Sequence, residues 1–364
     1  MSDPHKNLLS FKNAKKAMLC SLNHINKTEI KNLKDCEDRI LAKDIFSEIH
    51  VPEFDNSAVD GFGFINSNEI ERELEIIGES RPGKPFLKKI KKNQAIKIYT
   101  GAYILRDITR VNTVCMEEDC YSDGKKVRIN KKFKTGNNIR IKGEDVKKKQ
   151  RIFLSGRKIR SMDLAQLSSI GVKKIKVFKK IRVGIFSSGD ELCEFPKKKS
   201  KYEIYDANKL VLVSLFKKIG CEVNDLGIIK DNYSETKKLI LNKIKSLDVV
   251  ITSGGISKSK TDKIGKFFEN NAQIKFWRLS IKPGRPFAFG KIKNTPFIGL
   301  PGNPVAAIIT FFMLVIDYIK VLSGLKEKQI IERILPCDFE MKKRKGRTEW
   351  LRGMIIKKKK NYIF

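Results

Sequence analysis

Histidine is almost missing from this chain of 364 residues: His5, His24 and His50 are all it has, and all lie near the N-terminus. Neither an HExxH zinc helix nor a Ser-His-Asp triad therefore has a basis in the sequence. Cysteine is present but unorganised. Seven residues, an odd number with no CxxC pair, exclude a disulfide framework and a zinc-finger pattern, and point to reduced thiols in a cytosol. Cys115 and Cys120, the closest pair, fit a strand end and loop better than a metal or redox site. No apolar h-region follows Asp3, His5 and Lys6, so no signal peptide is read. The longest apolar stretch, Val305 to Ile316, is too short for a bilayer and is followed by Asp317 and Lys320, which makes it a buried helix. A cytoplasmic chain without a membrane partner is expected.

Acidic residues are also scarce relative to basic ones. The 41 Asp and Glu face 76 Lys and Arg, a net charge of +35. Such an excess raises a nucleic-acid reading, but the lysine runs, among them Lys88 to Lys92, Lys197 to Lys199 and Lys357 to Lys360, fall at element ends with few aromatics between them. They are read as decoration of solvated faces that would also speed the arrival of anionic substrates. The length allows two to four domains.

The organising stretch is Asp248 to Asp262, DVVITSGGISKSKTD. Val249, Val250 and Ile251 have the β-branched character of a strand buried on both faces, and the run stops at Ser253-Gly254-Gly255. Two adjacent glycines permit positive φ and close approach to the backbone. Ser253, Ser257, Ser259 and Thr261 add hydroxyls, and a helix capped by Thr261 or Asp262 would add its positive end. An oxyanion site and an ordinary strand-to-helix turn both fit this stretch taken alone.

Read from the N-terminus, Ser10 caps a helix with Ala14, Ala17, Met18 and Leu22 at helical spacing, and a second helix is expected from about Asp35 to Lys43. Pro52 to Phe62 then breaks all periodicity and packs three carboxylates, an amide and a hydroxyl into a few residues. From about 63 to 142 short alternating segments, Ala95 to Tyr99, Val111 to Met116 and Lys126 to Ile129, suggest a small β-rich domain. A helix from Met162 to Ile170 and a strand from Lys173 to Phe178 follow. Residues 181 to 323 alternate strand and helix, the signature of a doubly wound parallel sheet. Ligands of such sheets bind outside the C-terminal strand ends, and here three ends carry Asp190 and Glu191, Asp231, and the glycine turn with Asp262. Carboxylates beside an anion-binding turn call for a divalent cation, and Mg²⁺ with its preference for carboxylate and phosphate oxygens fits. Arg278 and Lys282 could hold a second anion or stand as an ordinary surface pair.

Ten stretches now bear on function: DNSAVDGF (55–62), TGA (100–102), MEED (116–119), NIRIKGEDV (138–146), SSGDEL (187–192), IYDAN (204–208), LGIIKD (226–231), ITSGGIS (251–257), FWRLSIKPGRPFAFG (276–290) and GLPGNP (299–304). In order and spacing, over nearly the whole chain, they resemble the molybdopterin molybdenumtransferase family of the MoeA and gephyrin E-domain type. The resemblance implies a multidomain α/β fold. Its parts would be a linker and dimerisation domain (1–49 and 143–179), a β-rich inserted domain (50–142), a MogA-like doubly wound molybdopterin-binding domain (180–326) and a truncated C-terminal β-barrel domain (327–364). It also implies a Mg²⁺-dependent transfer of molybdenum from molybdate into adenylylated molybdopterin with release of AMP, by a homodimer whose site lies between subunits. A separate molybdopterin adenylyltransferase would supply the substrate, and apo molybdoenzymes would take the product.

Family positions carry over residue by residue. Glu191, Asp231 and Asp262 would organise Mg²⁺ and the diphosphate, while Arg278 and Lys282 would hold molybdate. Asp60 and Thr100 would come from the partner subunit. Asp145 and the turn of Ser253, Gly254, Gly255 and Ser257 would bind the substrate, and Pro301 and Pro304 would shape the loop before the last helix. Three departures stand against this pattern. Ser259, Lys260 and Thr261 precede Asp262 where a Gly-Glu-Ala-Asp type sequence is usual, Arg278 replaces a usual Lys, and the Gln-Gly-Ser segment of the last domain is lacking. The alternative reading is a non-catalytic dimeric scaffold that binds molybdopterin or a partner.

Overall fold

The computed structural model describes residues 8–22, 27–67, 73–230, 232–256, 263–326, 334–343, 345–358 and 361–363. Helix α1 (Phe11–Cys20) starts where expected, with the Ser10 hydroxyl accepting from the Asn13 amide, and buries Ala14 and Met18. The helix expected from Asp35 to Lys43 does not form. Leu33–Asp35 makes a single 3₁₀ turn, Asp38 adopts φ +60°, and Ile40 and Leu41 pair in extended fashion with Lys158 and Val177. The apolar spacing there serves a tertiary core instead: Cys36 and Leu41 pack with Phe153, Ile159, Leu167 and Val177. Arg39, buried beside them, donates to Glu29 and to the Phe178 carbonyl. Strand Thr28–Asn32, for which the sequence offers no clear signal, pairs antiparallel with Lys174–Phe178, and helix α2 (Ser161–Ser169) closes this layer.

A six-stranded sheet is built from β1 (Gly61–Phe64), β2 (Glu73–Ser80), β3 (Gln94–Ile98), β4 (Thr113–Met116), β5 (Cys120–Ser122) and β6 (Lys126–Ile129). Its spatial order is β4-β1-β3-β2-β6-β5. Period-two alternation sends Ile96, Ile98 and Val114 to one apolar cluster and Ala95, Cys115, Phe62 and Phe64 to another. Gly61 is obligatory: a Cβ there would lie 1.8 Å from the Cys115 carbonyl oxygen across the β1–β4 ladder.

The larger sheet contains β7 (Arg182–Ser188), β8 (Glu222–Ile229), β9 (Val249–Ser253), β10 (Ala272–Arg278), β11 (Pro286–Ile292) and β12 (Thr295–Leu300) in the order β8-β7-β9-β12-β11-β10. The first four are parallel; β11 and β10 extend the sheet antiparallel. Helices cover both faces. Val249 and Ile251 join α1, α3 (Ala207–Lys218) and the C-terminal helix on one side, while Val250 faces α4 (Tyr233–Lys243) and α5 (Lys263–Asn271) on the other. The doubly wound arrangement is thus observed over the parallel strands.

The last helix, α6 (Pro304–Leu322), is longer than the apolar run suggested and passes through a π-helical turn at Phe311–Val315. By length and composition it could cross a membrane, but Ala307, Phe311, Leu314, Tyr318 and Ile319 are packed into the sheet's core. Its Asp317 pairs with Lys15 of α1 at 2.6 Å. Further on, Thr348–Glu349 adds in parallel to Ile281–Lys282, and Trp350 packs edge-on to Phe11.

Candidate functional site

A cavity of about 490 Å³ opens at the C-terminal ends of β7 and β9, between the starts of α3 and α6. Parallel strands put it there: their ends leave a crevice that the turns and helix starts line. The glycine turn forms one wall. Gly254 and Gly255 both have positive φ, +85° and +62°. A Cβ on Gly254 would meet the Ser188 carbonyl oxygen at 2.5 Å, and one on Gly255 would meet the Ser188 hydroxyl at 2.5 Å. The close approach anticipated from the two glycines is therefore made by the chain's own β7 end. The Gly254 amide is committed as well, donating to the Leu300 carbonyl at 3.1 Å. Ile256, the next wall residue, is fixed by the Trp277 indole N–H bonded to its carbonyl.

The opposite wall comes from the start of α3. Asp206 caps the helix, its Oδ1 accepting from the amides of Asn208 and Lys209. Asn208, 7 % exposed, donates through Nδ2 to the Ser253 hydroxyl and the Gly302 carbonyl, both at 2.7 Å. Three buried oxygens of residues that line the cavity have no hydrogen-bond partner among the described residues: Ser187 Oγ, Asp206 Oδ2 and Asn208 Oδ1. Lys209 is buried beside them. Burial works against its charge, yet its ion pairs with Glu194 (2.5 Å) and Asp225 (3.2 Å) prevail and raise its pKa.

The loop that carries Glu191 is held from outside. Lys230 donates to the carbonyls of Asp190 and Leu192, both at 2.8 Å, and pairs with Glu203. Glu191 lines the cavity, and its carboxylate folds back over Gly189, where a Cβ would meet Oε2 at 2.5 Å. Ser253, Gly254, Gly255 and Pro304 line the same cavity, and Pro301 is buried at the end of β12. Asp231, Ser257 and Asp262 lie outside the described residues.

The remaining expected residues are elsewhere. Arg278 and Lys282 do not line the cavity among the described residues; Lys282 is exposed and meets Glu349 at 3.7 Å. Asp60 and Thr100 are brought together at the ends of the neighbouring strands β1 and β3, where Asp60 Oδ1 accepts from the Thr100 amide (2.6 Å) and hydroxyl (2.9 Å). Those two bonds, the backbone one foremost, hold the Asp60 carboxyl below its ordinary pKa. Asp145 pairs with Arg140 at 2.6 Å. All described cavity-lining residues fall between 187 and 304, and Asp60, Thr100 and Asp145 are not among them. Sequence reasoning gave no role to Ser187, Asp206 or Asn208, although an Asp directly before an expected helix start was a readable cap signal.

Two family models match. The MoeA N-terminal region (domain I and II) covers residues 9–171 and a probable molybdopterin binding domain covers 184–321. A molybdopterin molybdenumtransferase of Haemophilus influenzae is 37% identical over 95% of this chain and 86% of its own length. One from a Nostoc species is 30% identical over 82% of this chain and 70% of its own. Among solved structures, the molybdopterin biosynthesis moeA protein from Pyrococcus horikoshii OT3 superposes with a TM-score of 0.84 and 27% identity, over 98% of this chain and 89% of that one. The chain belongs to the MoeA family of molybdopterin molybdenumtransferases.

Proposed function

We propose that this chain inserts molybdenum from molybdate into adenylylated molybdopterin with release of AMP. The observation that carries this reading is the cavity at the parallel strand ends, whose lining falls wholly within the segment matched by the molybdopterin binding domain. In this reading the substrate's diphosphate meets the Ser253 hydroxyl and the Gly255 and Ser257 amides, the Gly254 amide being already bonded. Pro301 and Pro304 shape the facing loop, and Arg278 and Lys282 receive molybdate. The Lys282 pair with Glu349 is long and exposed, a weak contact that an anion could replace. A separate adenylyltransferase supplies the substrate, apo molybdoenzymes take the product, and the setting is the cytosol.

The donor set suits Mg²⁺: the cavity's described lining offers carboxylate, hydroxyl and amide oxygens and no thiolate, thioether or imidazole. Glu191, with Asp231 and Asp262, would hold the ion, which when bound would neutralise phosphate oxygens. Asp60 and Thr100 do not line the described cavity of their own chain, and a homodimer that brings them to the partner's cavity gives them a place. The chain then divides into 1–49 with 143–179, 50–142, 180–326 and 327–364, with α1 seated on the larger sheet.

Purified protein given adenylylated molybdopterin, Mg²⁺ and molybdate should reconstitute an apo molybdoenzyme and release AMP. Asp231→Ala should lower both signals about a hundredfold or more while leaving the fold intact. Full activity in that variant would sink the assignment, and pterin binding without AMP release by the natural chain would favour the scaffold.

A further inference from the structure

We propose that Lys230 is a positioning residue for Glu191, setting the loop that brings this carboxylate to the cavity. The inference rests on the reading of Glu191 as a holder of the divalent ion at the molybdopterin site. Lysine is abundant along this chain, and an exposed lysine pair is usually worth little. The contacts of Lys230 are of another kind. Its Nζ donates to the carbonyls of Asp190 and Leu192, the two residues that flank Glu191, both at 2.8 Å, and to Glu203 at 3.2 Å. An ammonium has three N–H groups, and three acceptors meet this one.

The rest of the loop is held in the same way. The carbonyl of Glu191 itself accepts from the Ile204 amide at 2.8 Å, so three consecutive carbonyls, 190 to 192, are all bonded. The Gly189 amide reaches the carbonyl of Ile229, the residue before Lys230, at 3.4 Å. Glu203 is fixed in turn by the Ser200 amide at 2.9 Å. Lys230 therefore ties the end of β8, which Asp231 follows, to the loop after β7, which carries Glu191. Of the two acidic residues on that loop, Glu191 belongs to the cavity's described lining and Asp190 does not. Loss of the ammonium would release two of the three carbonyls and let Glu191 shift. The Lys230 side chain is 46 % exposed, so water can take over its bonds and the fold should survive. Charge and geometry then make opposite predictions. A nearby cation repels a divalent ion, whereas a well-placed carboxylate attracts it. Removing Lys230 should tighten ion binding if charge is all it supplies, and weaken it if it places Glu191.

The test uses Mn²⁺, which shares the preference of Mg²⁺ for carboxylate oxygens and is read by its EPR signal, titrated into the full chain with AMP present. Lys230→Met should weaken Mn²⁺ binding about tenfold, the scale on which residues that orient a metal's ligands act. Its thermal midpoint should stay within about 2 °C of the natural chain's. Molybdenum insertion should fall by a similar factor at limiting Mg²⁺ and recover at excess Mg²⁺. In a Glu191→Gln background, where Asp231 and Asp262 still leave a weaker site, Lys230→Met should cause no further loss of Mn²⁺ binding. Four results overturn the proposal: no Mn²⁺ uptake by the natural chain, an unchanged or tighter affinity in Lys230→Met, a loss accompanied by unfolding, or an undiminished loss in the Glu191→Gln background. The last would mean that Lys230 acts on its neighbour Asp231. Absence of molybdenum insertion with the Mn²⁺ coupling intact would remove the insertion reading and leave the positioning role standing; insertion without the coupling would do the reverse.

Discussion

Asp163 is 3 % exposed in the first turn of α2, and its charge survives because two arginines reach it. Burial alone would raise its pKa, but hydrogen bonds from Arg157 and Arg160 outweigh that and hold the carboxyl well below its ordinary value. The consequence for stability has a definite sign. The contribution is fully present above the unfolded pKa of about 3.9 and is lost as pH falls through the lower folded value. Asp163→Asn should cost about 1–3 kcal/mol at neutral pH, towards the low end for a buried pair because both arginines reach solvent. The gap between the urea midpoints of the variant and the natural chain should narrow as pH falls from 7 to about 2.5; a constant gap would mean that packing, not charge, is lost. At this scale the sequence revealed functional groups unevenly. Glu191 and Ser253 were readable at strand ends, but the role of Lys230 depends on the Asp190 and Leu192 carbonyls that it reaches, which composition does not record.

The turn after β9 separates two kinds of glycine. Gly254 needs a left-handed φ and has the Ser188 carbonyl where a side chain would begin. Gly254→Ala should therefore cost about 2 kcal/mol or more, the sum of the conformational penalty and the displaced strand end. Gly302 faces it, yet a Cβ there would meet its nearest neighbour, the Gly254 Cα, at an ordinary 3.8 Å. Gly302→Ala should stay within about 0.5 kcal/mol. Thermal or urea unfolding of the two variants checks the pair, and equal effects would refute the crowding account. Elements with a clean period were legible: the β-branched Val249 to Ile251 gave β9, and Ala207 to Ile219 gave α3. β1 and β2 carried a weaker signal, since glycines interrupt Phe62 and Phe64, and the helix expected at Asp35 to Lys43 lost to pairings with Lys158 and Val177 more than a hundred residues away.

Across the whole molecule, the Asp60–Thr100 pair contributes nothing to the described lining of the cavity at the strand ends. If each active site combines one surface from each subunit of a dimer, co-expressed Asp60→Ala and Glu191→Ala chains should regain activity that neither homodimer has. Random mixing makes half the dimers heterodimers with one intact site, so about a quarter of normal insertion activity is expected. No recovery in isolated heterodimers would place all these residues in one chain's site or remove Asp60 from it.

The order of strands and helices from 181 to 323, the location of a ligand crevice at the strand ends and the glycine turn were all determined by the sequence itself, because β-branched runs, caps and paired glycines act through neighbours a few residues apart. Tertiary structure alone decided that Ser188 fills the space over the glycines, that Leu300 takes the Gly254 amide, and that Asn208 is turned by Ser253 and Gly302. Each of those outcomes depends on strands and helices meeting from distant parts of the chain. Local sequence fixes what an element is; which of its polar atoms remain free to meet a ligand follows only from what packs against it.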